Sequence, residues 1–206
     1  MGTTFIIIAL TIVVSLLAFN DNNLFKKLQL NPYLVIQRNQ WHRVITHGFI
    51  HADSIHLLVN MIVLFSFGRS VENQFDILAK NHQIINSATL HMIILYFAGM
   101  IIASSTTIFK HKNNYQYNSV GASGAVSAVV FAAIFFSPKN TILIMGIIPI
   151  PAILFGILYL IYSQYKSRKG NDNVNHDAHF LGAVFGFIYP VIIDPSLLKY
   201  FLNSVF

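Results

Sequence analysis

The sequence predicts an all-α fold, a polytopic bundle of six membrane-spanning helices, and three observations carry that prediction. Apolar residues make up 55% of the 206 and charged residues only 10%. A soluble domain is about 25% charged, so this chain lacks the side chains to cover a water-facing surface. Mean hydropathy is +0.61. The apolar residues also gather into six stretches, most of them near the ~20 residues that cross the hydrocarbon of a bilayer. The chain has the size of one domain, 1–206. It has no cysteine, which excludes a disulfide framework and a thiol nucleophile. A net charge of +6 suits an anionic lipid surface. No basic face interleaved with aromatics is present, so nucleic acid is excluded as a partner.

The stretches follow in order. Thr3–Phe19 is the first; no basic residue precedes it and no small-residue cleavage pattern follows, so it reads as a retained span. The loop Asn20–Ser54 comes next, with Pro32, Tyr33 and Trp41 among apolar residues, a composition suited to the headgroup region. Ile55–Phe67 is the second span, Ala88–Phe109 the third and Val120–Phe136 the fourth. Thr141–Tyr162 is the fifth, expected to kink at Pro149 and Pro151, and Ala178–Ile193 is the sixth.

Successive spans alternate in direction, so the second, fourth and sixth run the same way. Each carries a polar residue near its start: His56 and Asn60, then Ser123, then His179. At 1.5 Å rise per residue, all four sit at similar shallow depth under one membrane face. Taken singly, each has a bland explanation. A membrane serine commonly bonds back to its own helix, and an asparagine joins helices. Polar groups inside a span are costly, however, and mark function by default. Three such helices converging on one face argue for one site.

Small residues support the convergence. Gly121 and Gly124 flank Ser123, and Gly124, Ala128 and Ala132 recur every four residues. Ala178, Gly182 and Gly186 repeat the spacing on the sixth span. Stripes of this kind let helices approach closely, which would bring His179 towards Ser123.

These residues resemble the rhomboid family of intramembrane serine proteases. The resemblance runs in order from Trp41-His42-Arg43 through Thr46-His47-Gly48-Phe49-Ile50-His51 and His56-Leu57-Leu58-Val59-Asn60-Met61. Phe67-Gly68 with Glu72, then Gly121-Ala122-Ser123-Gly124, then Ala178-His179-Phe180-Leu181-Gly182 with Gly186 complete it. The motif-bearing core occupies about 32–193. The resemblance implies a six-helix rhomboid-like bundle in which Ser123 is the nucleophile and His179 its general base. It implies that His56, Asn60 and the N–H of Ser123 stabilise the oxyanion. Its substrates are transmembrane proteins, its setting the lipid bilayer, and its compartment a bacterial plasma membrane. Neither metal nor cofactor is implied. Many relatives carry an aromatic four residues after the serine, packed on the histidine; this chain has Ser127 there, which leaves the orientation of His179 to other contacts.

A serine hydroxyl needs a base to take its proton, and histidine titrates close to neutral pH. Asp177, just before the sixth span, reads as a helix N-cap, so a dyad is expected rather than a triad. Two competing readings are a catalytically inactive adaptor of the same fold and a metal protein using His47, His51 and His56. The first is disfavoured by the intact Ser123 and His179, the second by the absence of the glutamate that accompanies paired zinc-binding histidines. Hydrogen bonding that braces the long loop is the plainer role for His47 and His51. His82, His91 and His111 suggest no function. Nine of the 13 basic residues lie in loops on the Ser123 face, which by the positive-inside rule faces the cytoplasm. Resemblance to bacterial members points outward, and that orientation is the one expected.

Overall fold

A computed structural model describes residues 2–81, 84, 87–144, 147–170 and 174–206; His82 lies outside them. Among the described residues the fold is all-α apart from one short hairpin. Helix α1 (Thr3–Asn20) leads into three short helices, α2 (Asn22–Leu28), α3 (Pro32–Gln37) and α4 (Arg43–Thr46), and a 3-10 turn at His47–Phe49. Then come α5 (Ser54–Lys80), α6 (Ala88–His111) and α7 (Ser123–Phe136). Strands β1 (Thr141–Ile144) and β2 (Ile148–Pro151) pair antiparallel, and α8 (Ala152–Lys169), α9 (His176–Ile193) and α10 (Leu197–Val205) complete the fold. Among the described residues, α1, α5, α6 and α9 are long and apolar enough to cross a membrane. Helix α7 is apolar but has 14 residues.

Helix α7 is the centre. Every residue from Gly124 to Phe136 is buried, as expected of a helix that is apolar all round. Helices α5, α6 and α9 surround it, and α7 with α9 is the most extensive pairing. The two small-residue stripes meet in register. A Cβ added at Gly182 would collide with the Gly124 carbonyl, and one at Gly186 with the Ala128 carbonyl. Backbone therefore rests on backbone, at a separation only glycine permits.

The second span is longer than expected: α5 continues past Phe67 to Lys80 and has 27 residues, ~40 Å at the helical rise. Its second half is more polar, yet Glu72 there is buried. Its carboxylate accepts from the Thr3 N–H and from the Thr4 hydroxyl. The N–H groups of a first helical turn have no intrahelical acceptor and carry the positive end of the dipole. Glu72 answers that need for α1.

The fifth span, Thr141–Tyr162, is corrected. Its first part forms the β1–β2 hairpin, with Leu143 opposite Pro149 and Thr141 opposite Pro151; the helix begins only at Ala152 and runs on to Lys169. A residue preceding proline is driven to extended backbone, so Pro149 and Pro151 prevent helix rather than kink it. The fourth span starts later than expected, at Ser123, because Gly121 has φ +113°, a region open to glycine but strained for other residues. The Asn20–Ser54 loop is ordered around Leu30, Val35 and Val44. Arg43 donates to the carbonyls of Lys26 and Gln29, both at 2.8 Å.

The packing yields a prediction. Gly182→Ala or Gly186→Ala forces α9 away from α7 at a cost of about 1–3 kcal/mol. The thermal midpoint in detergent should fall by about 2–4 °C for each kcal/mol in a chain of this size. An unchanged midpoint would show that the two helices part without penalty.

Candidate active site

The linkers through α6 and α8 return the chain, so α5, α7 and α9 all begin at the same end of the bundle. The starts of α5 and α9 are capped: Asp53 Oδ1 accepts from the His56 N–H at 2.7 Å, and Asn175 Oδ1 from the Ala178 N–H at 3.2 Å. Helix α7 has no side-chain cap. Its first-turn N–H groups, beginning with Ser123, therefore remain without intrahelical acceptors beside the site.

The turn before Ser123 is fixed from three directions. Leu30 and Ser119 exchange backbone hydrogen bonds of 2.9 Å. The Gly121 N–H donates to the His47 carbonyl at 3.0 Å, and the Ala122 N–H to His51 Nε2 at 3.4 Å. The His56 imidazole lies so close to Gly121 that an added Cβ would stand 2.7 Å from its Cε1. Glycine thus serves twice here, for its φ and for this approach.

With α7 and α9 in contact, His179 Nε2 lies 2.7 Å from Ser123 Oγ. Both residues are half-buried and border a cavity of about 1130 Å³ that His56, Asn60 and Met100 also line. Asn60 is buried, and one N–H of its amide donates to the His56 carbonyl at 2.9 Å; the second amide hydrogen is left for another acceptor. All four expected side chains, His56, Asn60, Ser123 and His179, are thus gathered round one space. Gly121 and Gly124 also line this space, while Gly182 and Gly186 lie in the α7–α9 seam described above.

The sequence profile described as the Rhomboid domain matches residues 38–195, most of the chain. The chain belongs to the rhomboid family. It is 29% identical over 157 residues to RHOMBOID-like protein 12, mitochondrial, of Arabidopsis thaliana, covering 69% of this chain and 43% of that protein. It is 27% identical over 152 residues to Presenilin-associated rhomboid-like protein A, mitochondrial, of Danio rerio, covering 71% of this chain and 36% of that protein. This rhomboid therefore spans less than half the length of those two relatives.

Several further contacts of the rhomboid site were not legible beforehand. Asp177 does not cap α9; Asn175 does. The Asp177 carboxylate instead accepts from Ser167 and pairs with Lys110 at 2.5 Å, tying α9 to α8 and α6 at the rim. Tyr159 of α8 lies over the His179 ring, a contact taken up below. His47 and His51 brace the loop. His47 Nδ1 bonds the Arg43 carbonyl at 2.9 Å. His51 accepts from Ala122 through Nε2, so its proton resides on Nδ1, which donates to Ser15 Oγ at 3.0 Å. The Ser15 hydroxyl in turn donates to the Phe49 carbonyl at 2.9 Å. Both His51 nitrogens are thus engaged within the protein, which tells against the metal reading. Among the described residues no three potential metal ligands converge.

Burial pushes His47 down to about 4 and His51 down to about 3, the latter helped by the neighbouring His56. In the unfolded chain both return to the ordinary value of about 6.5. Below pH 6.5 the unfolded state therefore binds more protons than the folded one. Stability from these two rings is complete above pH 6.5 and declines as pH falls towards their folded values. The limiting slope is about 1.4 kcal/mol per pH unit for each ring. The thermal midpoint in detergent should drop between pH 7 and pH 5, and His51→Gln should flatten that drop. Equal slopes for both chains would contradict the assignment.

Proposed function

We propose that this rhomboid is an intramembrane serine endopeptidase that cleaves transmembrane segments of other membrane proteins through a Ser123–His179 dyad. The observation that carries the reading is the 2.7 Å contact between Ser123 Oγ and His179 Nε2 across two helices at a wide cavity. The Ser123 hydroxyl donates to unprotonated Nε2. As Oγ attacks a peptide carbonyl carbon, its proton passes to the imidazole. Collapse of the tetrahedral intermediate breaks the C–N bond, and the imidazolium returns the proton to the leaving amine. Water, deprotonated by the same ring, then releases the acyl group from Ser123.

The negative oxygen of the intermediate is unstable in apolar surroundings. The uncapped first turn of α7 supplies N–H donors and the positive end of a helix dipole. His56 and Asn60, four apart on α5, present side chains to the same space. Donors aimed at such an oxygen are each worth about 2.7–4 kcal/mol. A helical substrate hides its carbonyls in intrahelical bonds, so substrates with small or helix-weakening residues at the cut are favoured. As for compartment, the mitochondrial names of the two relatives lend no support to the bacterial plasma membrane that the resemblance implied.

Incubation of the full chain in detergent with a generic single-span protein tests the reading. Cleavage is expected, lost in Ser123→Ala and in His179→Ala, and slowed by about 10²–10³ in Asn60→Ala. Cleavage that survives Ser123→Ala would refute the dyad, and none by the intact chain would favour a non-catalytic adaptor.

A further inference from the structure

General-base catalysis needs the His179 ring held with Nε2 towards Ser123. The second side-chain torsion of histidine is broad and soft, so the plane of the ring depends on what packs against it; His176 stands edge-on to it, with centroids 5.9 Å apart. Position 127, one turn beyond Ser123 on α7, bears only a serine. Tyr159 of α8 occupies the adjoining space. Its ring lies nearly parallel to the His179 ring, with planes 19° apart and centroids 6.4 Å apart. Its hydroxyl lies 2.9 Å from Ser127 Oγ. The tyrosine is wedged in turn between Phe155, with centroids 5.8 Å apart, and Phe131, at 5.6 Å. One side chain from a third helix is therefore pinned to the helix of the serine and laid on the ring of the histidine.

We propose that Tyr159 is a positioning residue for His179, with Ser127 as the anchor that sets the tyrosine ring. The inference rests on the proteolytic reading above. Face-to-face offset contact between the rings restricts imidazole rotation, while the hydroxyl pair fixes how far α8 can carry the tyrosine from α7. Tyr159 is not among the residues that line the cavity at Ser123, so its effect falls on the rate of the chemical step and not on substrate affinity.

The test uses the full chain in detergent with a single-span substrate. Tyr159→Leu, which keeps much of the volume and loses the aromatic face, should lower kcat about tenfold with KM within about twofold. Tyr159→Phe keeps the face and should stay within about threefold of the unaltered chain. Ser127→Ala should match Tyr159→Phe, and the double variant should be no slower than either, since both remove one bond. In parallel, the His179 ring proton of the histidine-labelled chain should show an upfield ring-current shift, lost in Tyr159→Leu and kept in Tyr159→Phe. The proposal is overturned if Tyr159→Leu keeps kcat within twofold, if Tyr159→Phe is as slow as Tyr159→Leu, or if the ring signal does not move. The ring signal needs no turnover. An intact chain that shows it yet cleaves nothing therefore contradicts the proteolytic reading separately.

Discussion

The close contact of α7 with α9 is the constraint on which the rest depends. Gly182 lies against the Gly124 carbonyl and Gly186 against that of Ala128, at distances that admit no Cβ. Dispersion and lipid release, rather than the hydrophobic effect, drive helices together in a bilayer, and both reward close approach. Ser123 opens one of these helices and His179 lies in the first turn of the other. Their 2.7 Å separation follows from the packing of helices with no side chain between them.

Around that contact, two groups of buried polar side chains in the apolar bundle are answered by partners from distant parts of the chain. The Glu72 carboxylate takes the N–H of Thr3 and the hydroxyl of Thr4. The chain from Ala122 through His51 and Ser15 to Phe49 consumes every donor it presents and links α1 to the turn before Ser123. Unsatisfied polar groups are expensive in such surroundings, so these networks fix geometry as well as stability. The first turn of α7 is different: among the described residues no side chain caps it, and it borders the cavity. In the proposed reaction, that contrast suits it to receive the developing negative charge.

Much of this was legible in the sequence. Apolar stretches and glycine spacing gave the bundle and its tightest seam, and the alternation of spans put His56, Asn60, Ser123 and His179 at one end. What failed did so for identifiable reasons. Pro149 and Pro151, midway along an apolar run, suggest a kink, whereas each also forces the residue before it out of helix, and the result is the β1–β2 hairpin. Asp177 stands where a cap is common, but Asn175 precedes it and takes the role, which frees the carboxylate for Lys110 and Ser167. The polar half of α5 hid its helicity because the partner of Glu72 lies some seventy residues earlier. Tyr159 was invisible for a similar reason: which helix sends an aromatic across to His179 depends on packing, and Ser127 alone announced only a vacancy.

The central claim is that the Ser123 oxygen is activated by the His179 ring. The most direct measurement is mass spectrometry of the detergent-solubilised chain after exposure to a serine-directed fluorophosphonate. One phosphonate per chain, on the peptide that contains Ser123 and absent from His179→Ala, is the predicted result. A chain left unmodified, or one modified as fully without His179, would contradict the account.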